Sequence, residues 1–98
     1  MIRFFTFSLL LLCLGGMRAQ SATELFERGN EAYRNEDFEQ AIQHYQQILE
    51  DKQVTNAALY FNLGNAYFKT GQLAEAILHY EKAAQLNPRD EEIRQNLS

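Results

Sequence analysis

The 98-residue chain is long enough for one small domain and carries 13 acidic against 9 basic residues, with one cysteine and no tryptophan. An acidic chain without Lys/Arg clusters is poorly suited to nucleic acid or to an anionic bilayer surface. A single cysteine excludes an internal disulfide, so stability must come from packing.

The N-terminus has the feature order of a secretory signal: basic Arg3, an apolar stretch from Phe4 to Leu14, then small residues up to Ala19. Cleavage after Ala19 is the expectation. It removes Arg3, Arg18 and Cys13, leaving 7 basic and 13 acidic residues, net −6. The alternative is a retained membrane anchor over residues 4–19, since Met17 is large for its place before the cut. Against it, the apolar run is broken by Thr6 and Ser8 and is short beside the roughly 20 residues of a membrane span. Cys13 invites comparison with lipidated leaders, but bulky Leu12 stands where those carry a small residue.

From Ala22 onward the sequence repeats at an offset of 35. The identities are Ala22/Ala57, Phe26/Phe61, Gly29/Gly64, Asn30/Asn65, Ala41/Ala76, Ile42/Ile77, His44/His79 and Tyr45/Tyr80. Each copy reads as two helices. In the second, Tyr60, Leu63, Gly64 and Tyr67 follow the i, i+3, i+4, i+7 spacing of a helix face. Gly71 breaks that helix as a C-terminal cap, and Leu73, Ala76, Ile77 and Tyr80 open the next, which runs to Leu86 before Asn87-Pro88. In the first copy Asn35 is the expected left-handed residue and Asp37 the expected N-cap of the following helix. Beyond Pro88, Asp90 is an N-cap candidate for a short helix in which Ile93 and Leu97 cover the end of the second repeat. No stretch alternates with period two. The reading is an all-α helical-repeat solenoid: a signal over 1–19, repeats over 22–55 and 57–90, and the start of a capping helix over 90–98.

The residues Tyr60, Leu63, Gly64, Tyr67, Ala76, Tyr80, Ala83 and Pro88 resemble the tetratricopeptide pattern, an aromatic, Leu-Gly, Tyr, then Ala, an aromatic and a closing Pro. The first copy matches at Leu25, Gly29, Ala32, Ala41 and Tyr45. It departs at Arg28, which replaces an apolar residue, and in lacking a closing proline; its length of 35 also exceeds the usual 34 and points to one extra residue within "EDKQVTN". The resemblance explains a glycine inside an apolar helix, which costs about 1 kcal/mol relative to alanine. Gly29 and Gly64 are expected to be close-packing points facing Ala41 and Ala76 or their neighbours.

Chemistry is hard to find. His44 and His79 recur at one repeat position and are expected to be exposed and structural. Stacked helices stand about 10 Å apart, too far for both imidazoles to share an ion. Glu36, Asp37 and Glu39 lie in a turn, and Asp90, Glu91 and Glu92 start a helix, where solvated charge is ordinary. Serines beyond the signal are only Ser21 and Ser98, and no glycine-rich phosphate loop is present. No enzyme, metal, cofactor, small-molecule substrate or nucleic acid is expected.

What remains is a surface. In the family that the chain resembles, the first helix of each repeat lines a concave groove that binds peptides or helices. Here that stripe holds Thr23, Phe26, Asn30, Tyr33 and Arg34, then Ala58, Phe61, Asn65, Phe68 and Lys69, with Asn62 beside them. The phenylalanines either anchor a ligand or pack between repeats. The asparagines, with less structural reason to recur, are expected to bond a ligand's backbone, and Arg34 and Lys69 to attract a carboxylate. The carboxylate clamp of chaperone-binding cochaperones is matched only at Asn30 and Asn62. Phe26, Glu92 and Asn96 stand where that clamp has basic residues, which argues against a C-terminal chaperone tail.

A signal followed directly by such repeats also resembles the N-terminal part of the BatE family, the tetratricopeptide proteins of the Bacteroides aerotolerance operon. That resemblance implies a periplasmic scaffold for a membrane complex whose partners carry von Willebrand A domains. The alternatives are a generic envelope adaptor or a subunit that self-associates through the uncapped edge. A metal-handling role for His44 and His79 is a more distant one.

Overall fold

The computed structural model describes residues 20–97; the signal, anchor and lipidation expectations for residues 1–19 lie outside them, as does Ser98. Among the described residues five α-helices follow one another: α1 (Ala22–Arg34), α2 (Phe38–Gln47), α3 (Ala57–Lys69), α4 (Leu73–Leu86) and α5 (Glu91–Leu97). A π-helical turn, Ile48–Lys52, extends α2. Each helix packs chiefly on its neighbours in sequence, giving the two expected hairpins plus a short fifth helix and no strand among the described residues. None of these helices is long and apolar enough to cross a membrane.

Local chemistry sets the ends. Ser21, Asp37, Asn56 and Asp90 each accept a bond from the backbone N–H three residues on, at 3.1, 3.3, 2.8 and 3.2 Å, satisfying donors that a helix start leaves open. Both hairpins turn through the same C-terminal motif. The Asp37 N–H reaches the Ala32 carbonyl and the Glu36 N–H that of Tyr33, while Gln72 and Gly71 repeat the pair onto Tyr67 and Phe68. The left-handed residue is therefore Glu36 (φ 62°), not Asn35, which stays at φ −85°. Glu36 aligns with Gly71 (φ 79°), so the repeat imposes on a glutamate a backbone that suits glycine.

The departures at the end of the first repeat have one explanation. A π turn accommodates one inserted residue in a helix, and it lies next to the loop where the 35th residue was expected. The chain then leaves through Gln53 at φ 52°, the position that Pro88 holds in the second copy. Proline is locked near −65° and could not take that conformation.

Leu25, Ala41, Tyr45, Ile48, Leu59, Leu63 and Ala66 form one buried cluster joining the first hairpin to α3. Ala76, Tyr80, Ala83 and Ile93 are the buried apolar residues of α4 and α5. The glycines do not face alanines. A Cβ on Gly29 would stand 2.5 Å from the Tyr45 ring, and one on Gly64 2.5 Å from the Tyr80 ring. The close approach is of a flat aromatic face onto a bare backbone, repeated in both hairpins.

Candidate functional site: the concave groove

The two buried tyrosines organise the groove. The Tyr45 hydroxyl donates to Asn30 Oδ1 at 2.5 Å, and Asn62 Nδ2 makes a longer contact to the same oxygen at 3.4 Å. One repeat later Tyr80 donates to Asn65 Oδ1 at 2.5 Å, with Asn96 Nδ2 at 3.4 Å. Phe26 and Phe61 lean on these tyrosines at 5.8 Å each, with interplanar angles of 49° and 47°. Asn30 and Asn65 thus have a clear structural reason to recur, contrary to the sequence expectation, because each accepts the hydroxyl of a tyrosine packed on a glycine. Burial, with Tyr33 nearby, pushes the Tyr45 phenol up to about 12, partly offset by Arg34 and Asn62; burial also raises Tyr80 and Tyr33.

Three hollows run along this face. The first, about 400 Å³, is apolar, with Thr23, Phe26, Ala58 and Val54 in its walls. A polar one of about 160 Å³ is lined by Asn30, Tyr33, Arg34, Tyr45, Asn62 and Asn65. A third, about 310 Å³, shares Asn65 and adds Phe68, Tyr80 and Asn96. The structure thus brings most of the expected stripe together. Phe61 and Lys69 line none of these three hollows: Phe61 is half-buried against Tyr80, and Lys69 is exposed. Phe68 is 57% exposed at the rim, whereas Tyr33 packs edge-on to Phe38 at 5.1 Å. Asn96 is the groove residue that the binding expectation missed. Its signal was its spacing of 34 from Asn62.

His79 corrects another expectation. It is 5% exposed, held between the rings of Tyr60 and Tyr67 at 6.1 and 5.0 Å, and its Nδ1 donates to the Glu75 carbonyl at 2.7 Å. His44 is half-buried, because Leu25 and Ala32 stand where Tyr60 and Tyr67 wall in His79. No group of three His, Cys, Asp or Glu among the described residues is placed to hold a metal ion.

A profile of the tetratricopeptide repeat matches residues 26–91, two thirds of the chain. The chain belongs to the tetratricopeptide-repeat family. It is also similar to the Hsp70-Hsp90 organizing protein of Triticum aestivum, 31% identical over 67 residues, which cover 68% of this chain and 11% of that protein. A Protein SGT1 homolog of Oryza sativa subsp. japonica is 33% identical over 72 residues, 74% of this chain and 19% of that one. The chain spans less than a fifth of the length of either relative. Tetratricopeptide-repeat proteins are in general non-catalytic protein-interaction scaffolds, and the polar row of the groove fits that kind of work.

Proposed function

We propose that this chain is an exported adaptor whose concave groove holds an extended segment of a protein partner. The observation that carries the reading is the twofold use of one carboxamide arrangement, Asn30 with Asn62 and Asn65 with Asn96, lining adjoining hollows. Each tyrosine occupies only the Oδ1 of its asparagine. The Nδ2 of Asn30 and the Oδ1 of Asn62 remain to pair with a backbone carbonyl and a backbone N–H, the currency of extended-peptide recognition. Repeats about 10 Å apart match about three residues of extended peptide at 3.3 Å each. Arg34 and the exposed Phe68 add a cation and an apolar anchor beside that row.

The signal-like residues 1–19 and the resemblance to the BatE family support a periplasmic setting and a membrane complex with von Willebrand A-domain partners. A generic envelope adaptor is the alternative. The wheat relative is named for organizing Hsp70 and Hsp90, but Phe26, Glu92 and Asn96 in place of clamp cations argue against a chaperone's terminal carboxylate here.

The test is capture from cell-envelope extract with the tagged chain and with an Arg34→Glu/Phe68→Ala variant. Both substituted residues are exposed, so the fold is kept, whereas changing Asn65 would strand the Tyr80 hydroxyl. A partner held by the first and lost by the second supports the groove. Equal capture overturns it, and recovery of the tagged chain from the cytosol with residues 1–19 intact overturns the exported setting.

A further inference from the structure

The groove has two carboxamide stations, Asn30 with Asn62 and Asn65 with Asn96, and the space beside them is furnished differently. Phe26 and Ala58 stand four residues before Asn30 and Asn62, one helical turn or about 6 Å back along α1 and α3. Phe61 and Glu92 hold the same places relative to Asn65 and Asn96. Beside the first station, Phe26 and Ala58 open onto the apolar hollow of about 400 Å³. Beside the second, the exposed carboxylate of Glu92 stands where Ala58 has a methyl group.

The first repeat builds this hollow from its own irregularity. Buried Ile48 and Leu59 form the floor, and Val54, 39% exposed, stands at the rim. Val54 follows the π turn Ile48–Lys52 and the left-handed Gln53, the segment by which this repeat departs from the second. Such departures from regular backbone are costly and gather at binding sites. In the second copy Ala83 takes the place of Ile48. Of the side chains lining the hollow only Thr23 and Asn56 are polar, and Asn56 is already engaged, accepting the Leu59 N–H as the cap of α3. The occupant that fits is apolar.

We propose, resting on the groove reading above, that the hollow receives one leucine, methionine or phenylalanine side chain of the bound segment, from the residue whose backbone Asn30 and Asn62 grip. A segment running from station to station crosses the helices, and side chains of an extended chain stand perpendicular to its run. A side chain leaving the first station therefore lies along α1 and α3, and the turn between Asn30 and Phe26 is a distance that a large apolar side chain spans. Grip and hollow are one packed unit: Phe26 leans on Tyr45 at 5.8 Å, and Tyr45 holds Asn30. At the second station the same side chain would have to desolvate Glu92. The apolar residue thus sets the register of the partner on the groove.

The probe is a library of short random peptides displayed on phage and selected on the full chain, with the recovered peptides titrated by fluorescence anisotropy. They should share one leucine, methionine or phenylalanine, whose replacement by alanine weakens binding at least about tenfold. Ala58→Glu copies the second station into the first. Its carboxylate falls in the first turn of α3, which suits the helix, so the chain keeps its melt. This variant should bind the apolar peptides at least about tenfold less well and the alanine-substituted ones as wild type does. Methyl NMR signals of Val54 and Ile48 should shift with the apolar peptides and not with the alanine-substituted ones. Equal binding of the apolar peptides by wild type and Ala58→Glu overturns the hollow, and if Arg34→Glu/Phe68→Ala still abolishes that binding the groove reading stands without it. Recovery of no peptide overturns both. A dimer in sedimentation that dissociates on Ala58→Glu gives the hollow to a second copy and overturns the side-chain assignment.

Discussion

Gly64→Ala isolates the contact on which both hairpins are built. In an open helix this change stabilises by about 1 kcal/mol. Here the new Cβ stands 2.5 and 2.6 Å from Cδ1 and Cε1 of Tyr80, against 3.4 Å where ordinary contact begins, a shortfall of about 0.9 Å. The ring has little room to retreat. It is 4% exposed, Phe61 leans on it at 5.8 Å, and its hydroxyl is fixed to Asn65 at 2.5 Å. Overpacking of this kind costs about 1–3 kcal/mol, and the size of the shortfall puts the net loss at about 1–2 kcal/mol after the propensity gain. For a domain of this size that lowers Tm by roughly 5–15 °C, read by circular dichroism. A double-mutant cycle sharpens the test: in a Tyr80→Leu background the alanine meets no ring and should raise Tm. A Gly64→Ala protein melting at or above wild type, or an equal penalty in both backgrounds, would refute the close-packing argument.

The turns and the tyrosines give two further expectations. Glu36→Gly should raise stability by about 1 kcal/mol by relieving its left-handed backbone, and Gly71→Ala should lower it by a similar amount although nothing lies within 4 Å of the new Cβ. Opposite signs in thermal melts are the check, and two changes of the same sign would contradict the shared turn. Because burial lifts Tyr45 from 10.0 to about 12, the folded state holds that proton more tightly than the unfolded state. The associated stability is complete below pH 10 and is lost as pH rises through about 12. Tyr80, raised in the same direction, adds to the loss. Tyrosinate absorbance should therefore rise in two stages, the later one coinciding with loss of helix. Complete ionisation near pH 10 with the helix intact would contradict the burial of these phenols.

Much of the fold was legible because a repeat states each local instruction twice. Asp37, Gly71 and Asp90 act through side-chain or backbone chemistry within four residues of themselves, and the helices they bound fall where the apolar spacing puts them. Glu36 was missed although the same alignment set it opposite Gly71, because a glutamate carries no signal of a left-handed backbone by itself. The groove stripe was readable as a register. The role of its asparagines was not, since the tyrosine that holds each one lies 15 residues away on the other helix.

The sequence by itself determined the two hairpins, their caps and the faces they turn inward, for these follow from spacing and from groups that meet along one helix. Tertiary structure decided which group meets which: tyrosine rings on glycine backbones, His79 buried while His44 is not, and Gln53 in place of a closing proline. Those outcomes depend on distances between helices. Such distances are set by the fit of whole side chains across the stack and not by the order of residues along it.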